Sequence, residues 1–80
     1  MKILKAIPVE HYKLKVTFSS GETLLCDLTG KLSGELFEPF KDVIFFNHVA
    51  IDDSGACFWP NKADLCPDFL YELGKRNSVA

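Results

Sequence analysis

Hydrophobic and polar residues alternate most regularly over residues 12–18, where Tyr12, Leu14, Val16 and Phe18 are separated by Lys13, Lys15 and Thr17. A period of two sends neighbouring side chains to opposite faces of a strand, so this segment is expected to bury one face and wet the other. Ser19, Ser20 and Gly21 follow, and Gly21 can take the positive φ of a tight turn. Residues 22–28 resume the alternation, with Leu24, Cys26 and Leu28 on one face and Thr23, Leu25 and Asp27 on the other. An antiparallel hairpin is the expected result. Upstream, residues 2–7 read as a further strand, which Pro8 is expected to end because it has no N–H for a ladder.

Beyond the hairpin the pattern is less regular. Gly30, Gly34 and Pro39 break residues 29–40 into a loop with at most one irregular turn, yet the segment carries Leu32, Leu36, Phe37 and Phe40, as a lid laid across the sheet would. Asp42 can cap a short helix through Phe46, although Val43, Ile44, Phe45 and Phe46 suit a strand equally. Residues 49–52 and 56–59, joined across Asp53, Ser54 and Gly55, read as a second hairpin. Pro67 fits the first position of a terminal helix, where its missing donor would be unpaired anyway, and Asp68 suits the positive end of the helix dipole. Phe69, Leu70 and Leu73 fall on one side of it, and Gly74 stands where a stop is expected. The expected architecture is α+β: a small twisted antiparallel sheet built from hairpins, a lid-like loop or short helix, and a short C-terminal helix. Residues 1–74 form one domain in this reading, and residues 75–80 a polar C-terminal tail.

Composition supports a packed core in spite of the small size. Eighty residues hide only somewhat over ~60% of the unfolded surface. A hydrophobic content of 48%, with seven Phe, two Tyr and one Trp, is far from the aromatic-poor profile of disordered chains. So many aromatics are hard to hide in so small a domain, which makes a homodimer the expected state. A net charge of -2 argues against direct nucleic acid binding. The first residues are interrupted by Lys5 and Pro8 and lack the continuous apolar run of a secretory signal, and no segment reaches membrane-spanning length. A soluble cytoplasmic protein without a membrane association is the expectation. Three cysteines, Cys26, Cys57 and Cys66, make no disulfide framework and fit reduced thiols.

The succession FSSGETLLCDL, LFEPF and VAIDDSGACFWPNKADLCPDFLY resembles a family of small bacterial domains, domain of unknown function family 2442. The resemblance spans roughly residues 7–71, and its most specific part is Trp59-Pro60-Asn61 followed by Ala63-Asp64 and Leu70-Tyr71. Lys62 stands where the family pattern usually has Gly. The resemblance implies an α+β fold and no established activity. It also implies that relatives are small stand-alone proteins, some encoded beside a toxin-like partner and some continuing into a helix-turn-helix. That helix-turn-helix would follow the residues compared, so no DNA reading is carried over to them.

Candidate chemistry is sparse. His48 with Cys26, Cys57 and Cys66 has the donor atoms for zinc, but no Cys-x-x-Cys spacing exists and Cys26 lies on an apolar strand face. No metal, cofactor or catalytic group is expected. A cysteine nucleophile with His11 or His48 would need a pairing in space that no spacing signals. Asp52, Asp53 and Asp64 are the acids nearest Trp59; Asp52 and Asp53 read as turn residues, and Asp64 as an acceptor of backbone donors where the helix begins. Trp59, Asn61, Asp64 and Tyr71 are the candidate interaction or ligand-binding residues, although a Trp at a strand end before Pro is more often core or rim packing, which is the reading preferred for Trp59. Two functions remain: a non-enzymatic protein-interaction module, antitoxin-like or regulatory toward a toxin-like protein, or a small-molecule or enzymatic site around Trp59, Asn61 and Asp64. An exposed apolar patch favours the first and an enclosed polar-lined pocket the second.

Overall fold

A computed structural model describes residues 1–32 and 34–78. Three strands, β1 (Ile3–Glu10), β2 (Lys13–Phe18) and β3 (Thr23–Asp27), form one antiparallel sheet in the order β1-β2-β3. The β2–β3 hairpin follows the alternation: Leu14, Val16, Phe18, Leu24, Cys26 and Leu28 are buried, whereas Lys15, Thr23 and Leu25 are exposed. Gly21 takes φ 93° in the connecting turn, where its N–H reaches the Phe18 carbonyl at 2.9 Å. Strand β1 does not stop at Pro8 as expected but continues to Glu10, with Pro8 opposite Leu14. A proline removes a ladder donor only on the side its nitrogen faces, and β1 is an edge strand, so one side needs no donor.

A 3-10 helix (Glu35–Lys41) occupies the second half of the expected loop and inserts Phe40, fully buried, into the core, with Phe37 half-buried beside it. The side chain of Leu36, expected in the same lid, and residues 79–80 of the expected tail lie outside the described residues. Asp42 resolves the helix-or-strand ambiguity that follows: its Oδ1 accepts the Ile44 N–H at 2.9 Å and caps α1 (Val43–Phe46).

The second hairpin forms as β4 (Ala50–Ile51) and β5 (Cys57–Phe58), shorter than the sequence suggests, and a third strand unsignalled by the sequence, β6 (Asp64–Leu65), pairs with β5. Asp52 holds the first turn, its Oδ1 accepting the N–H groups of Ser54 at 2.9 Å and Ala56 at 3.1 Å. Hydrogen bonds, chiefly from the Ser54 hydroxyl, keep its carboxyl below the usual carboxylate range. The second turn closes with Trp59 N–H on the Ala63 carbonyl and Lys62 N–H on the Trp59 carbonyl, both at 2.9 Å. Lys62 sits there at φ 70°. The left-handed conformation is therefore kept although the residue is not glycine, at a cost of ~1–2 kcal/mol for an L side chain. Lys62→Gly relieves that strain while gaining unfolded-state entropy, so a net stabilisation of roughly 0.5–1 kcal/mol is expected from urea unfolding midpoints.

Helix α2 (Pro67–Ser78) starts at the proline as expected but passes through Gly74, four residues beyond the predicted stop. The glycine serves packing instead. A Cβ at position 74 would lie 2.6 Å from Leu24 Cβ and 3.3 Å from Cys26 Sγ, so its absence lets the helix settle on β3. Cys26 Sγ–H donates to the Leu70 carbonyl at 3.2 Å in the same contact. Leu70 and Leu73 are buried there, while Phe69, expected on that face, is 37% exposed.

Candidate interaction surface

The four residues singled out from the sequence do not converge. Trp59, a candidate contact residue for which packing in the core is the preferred reading, is 1% exposed and belongs to the core. Its ring packs on Phe40 with centroids 4.5 Å apart, and its Nε1–H donates to the Phe46 carbonyl at 2.8 Å, satisfying a free acceptor at the end of α1. Asn61 is half-buried and its Oδ1 accepts the Ala63 N–H at 3.1 Å within the turn. It fills the backbone-bracing role expected of Asp64, whose side chain lies exposed on β6 instead.

Tyr71 belongs to a brace on the other sheet. Its hydroxyl donates to Glu22 Oε1 at 2.7 Å, its ring meets Phe18 edge-on at 5.3 Å, and Lys75 Nζ pairs with Glu22 Oε2 while lying 5.3 Å from the Tyr71 ring. The brace pins α2 to the β2–β3 turn. Lys75 first, then Tyr71, hold the Glu22 carboxyl below the usual glutamate range. A depressed carboxylate pKa stabilises the fold at pH values above the ordinary glutamate range, and that stability is lost as the pH falls through the lowered folded value. Glu22→Gln is therefore expected to be less stable than the parent at neutral pH, and the two should converge once the pH has fallen below the lowered folded value. The difference stays small because the pair is exposed to solvent. Urea midpoints of both proteins across the acid range check it, and a gap that persists undiminished in acid would contradict the assignment.

Two of the three thiols are sealed in the core, where burial pushes Cys26 up to about 11 and Cys57 up to about 12; Cys66 is exposed. Among the described residues no three His, Cys, Asp or Glu side chains lie where they could hold a metal ion. His11, stacked on Tyr12 with centroids 4.0 Å apart, donates through Nε2 to the Phe40 carbonyl at 2.7 Å. A half-open hollow of about 140 Å³ is lined by Tyr12, Leu28, Gly30, Leu32, Gly34, Phe37, Glu38 and Lys41. It is well below the ~300–1,000 Å³ of ordinary ligand pockets. The charges at its rim, Lys41 and Glu38, are spent on each other at 2.9 Å. None of Trp59, Asn61 and Asp64 lines it.

The outer face of the β1-β2-β3 sheet presents a different picture. Register sets Ile7 opposite Lys15 and Lys15 opposite Leu25, one row running across all three strands. These side chains point away from the face that Leu14, Leu24 and Cys26 bury. Ile7 is 41% exposed and Leu25 44%, with Leu4 at 64% and Val9 at 47% along β1. Leu4 and Val9 fall at the two register irregularities of that strand, where neither has a partner in β2. Large contiguous apolar exposures are the kind that mark contact surfaces, whereas scattered single ones are ordinary. Sequence reading passed over them because β1 alternates poorly; Leu25, apolar on the wet face of an otherwise regular hairpin, was the available signal.

No helix among the described residues is long and apolar enough to cross a membrane. Comparison with curated proteins and with solved structures finds no match. A family model does match, over residues 3–76, which takes in all of the first sheet, the second, and most of α2. The chain therefore belongs to the family described as protein of unknown function (DUF2442).

Proposed function

We propose that this chain is a non-enzymatic protein-interaction module that docks through the outer face of its first sheet. The observation that carries the reading is the exposure of Leu4, Ile7, Val9 and Leu25 on one three-stranded sheet. Its partner is another protein, of which a toxin-like one is the kind that the family resemblance suggests, or a second copy of the chain. The bacterial cytoplasm is the setting we propose, where three unpaired thiols would stay reduced. The test is sedimentation velocity combined with affinity capture from native extract, for the parent and for the Ile7→Ser/Leu25→Ser variant. Both substitutions are at exposed positions, so the unfolding midpoint should hold while binding weakens by ~2 kcal/mol or more. A strict monomer at tens of micromolar that recovers no partner would sink the reading.

A further inference from the structure

We infer that the outer face of the β1-β2-β3 sheet selects an acidic, aliphatic peptide segment of a different protein, an inference that rests on the interaction-module reading. Lys13 on this face is answered by Glu10 at 3.4 Å and by the nearby carboxylate of Asp27, whose pKa it helps to lower. Lys5 and Lys15 have no acidic partner among the described residues. They stand on either side of Ile7, Lys5 two positions along the same strand and Lys15 directly across. Two lysines set by register around one exposed aliphatic residue, in a protein of net charge -2, form a local cationic site that no ion pair among the described residues neutralises. Its complement is an aliphatic side chain flanked by carboxylates.

The same geometry disfavours the competing occupants. A second copy using this face would meet it across a two-fold axis, bringing Lys5 and Lys15 of both copies into one interface where the strands' own acids, Glu10 and Asp27, already answer Lys13. Strand addition at the edge of β1 is hindered by Gly55, whose carbonyl already takes the Ile3 N–H at 2.9 Å, by Pro8 and by the register irregularities at either end, devices that blunt edges against pairing. The ligand therefore lies across the face rather than beside it. Single-stranded nucleic acid would find cations here, but the row of Ile7, Lys15 and Leu25 offers no aromatic platform for bases.

The experiment presents the intact protein to a library of short random peptides and reads the enriched sequences, then measures the best binder by fluorescence anisotropy against the parent and against Lys5→Glu/Lys15→Glu. The expected result is enrichment of Asp and Glu interspersed with Leu, Ile and Val, with roughly tenfold or greater loss of affinity on charge reversal and steep weakening by salt. Both lysines are exposed, and an unchanged melting temperature confirms that the variant folds. Enriched peptides without acidic bias, or acidic peptides held equally by the reversed variant, overturn the inference while leaving the interaction module intact. So does a labelled oligothymidine that binds more tightly than any selected peptide, or a dimer of the parent that charge reversal abolishes. Failure to enrich any sequence, together with a strict monomer that captures no partner, removes the module reading itself.

Discussion

Trp59→Ala is expected to lose ~3–5 kcal/mol of unfolding free energy, the usual result of emptying a large aromatic site. That is a large part of the ~5–15 kcal/mol available to a small domain. The indole touches Phe40 and Phe46 and is 1% exposed, so little of the lost packing can be recovered by collapse from solvent. Removing Nε1–H also leaves the Phe46 carbonyl without its partner. Trp59→Phe separates the two contributions: it keeps much of the packing, and its loss should fall to ~1–3 kcal/mol, the penalty of an orphaned buried acceptor. Asp64→Ala, at an exposed strand position, should stay within ~0.5 kcal/mol of the parent. Guanidinium unfolding of the three variants provides the comparison. A Trp59→Ala protein as stable as the parent would mean that the residue is not a core anchor.

Gly74→Ala should destabilise, although helix propensity taken alone predicts the reverse. Replacing a glycine inside a helix by alanine ordinarily gains ~0.8–1 kcal/mol. Here the added Cβ would stand 2.6 Å from Leu24 Cβ and 3.0 Å from Leu24 Cδ1. The first of these atoms is fixed to the strand backbone and cannot swing aside. Overpacking of this kind costs ~1–3 kcal/mol, and because the clashing Cβ cannot move the penalty falls above the propensity gain, for a net loss of up to about 2 kcal/mol. Gly74→Val should be worse by virtue of its branched side chain. Relief through Leu24→Gly, which removes the clashing Cβ, in the Gly74→Ala background, measured as a double-mutant cycle, would tie the effect to this contact. A stabilised Gly74→Ala protein would show that α2 can slide off β3 at little cost.

The contrast between legible and illegible elements has a physical pattern. The β2–β3 hairpin was readable because a period of two over Leu14, Val16 and Phe18, and again over Leu24, Cys26 and Leu28, is dictated by burial on one face alone. Asp42 and Pro67 were readable because capping and the first helical position are local chemistry. Pro8 and Gly74 misled for a common reason: each usually punctuates an element, and each is tolerated inside one here by tertiary placement, at a sheet edge and against a neighbouring strand. Strand β6 went unseen because two residues carry no periodicity and the turn before it has Lys62 at φ 70° in place of a glycine signal. Trp59, Asn61, Asp64 and Tyr71 looked like a site because aromatic and polar groups cluster in the sequence. In the fold, Trp59 goes to the core, Asn61 to a turn, Asp64 to an exposed strand and Tyr71 to the brace on the other sheet. The row Ile7, Lys15 and Leu25 was out of reach for the opposite reason, since it exists only once three strands are in register.

The contacts that seat α2 on the hairpin join residues far apart along the chain: 44 positions separate Cys26 from Leu70, and 49 separate Glu22 from Tyr71. The hairpin can close in ~1–10 μs once made, whereas synthesis at ~5–20 residues per second delivers the partner helix some ~2–9 s later. During that interval Leu24 and Cys26 have no lid, and the nascent chain carries an open apolar strand face toward whatever surrounds the ribosome. A translational pause between β3 and α2 would lengthen this exposure, and a chaperone that shields aliphatic strands would find its client there rather than in the finished protein.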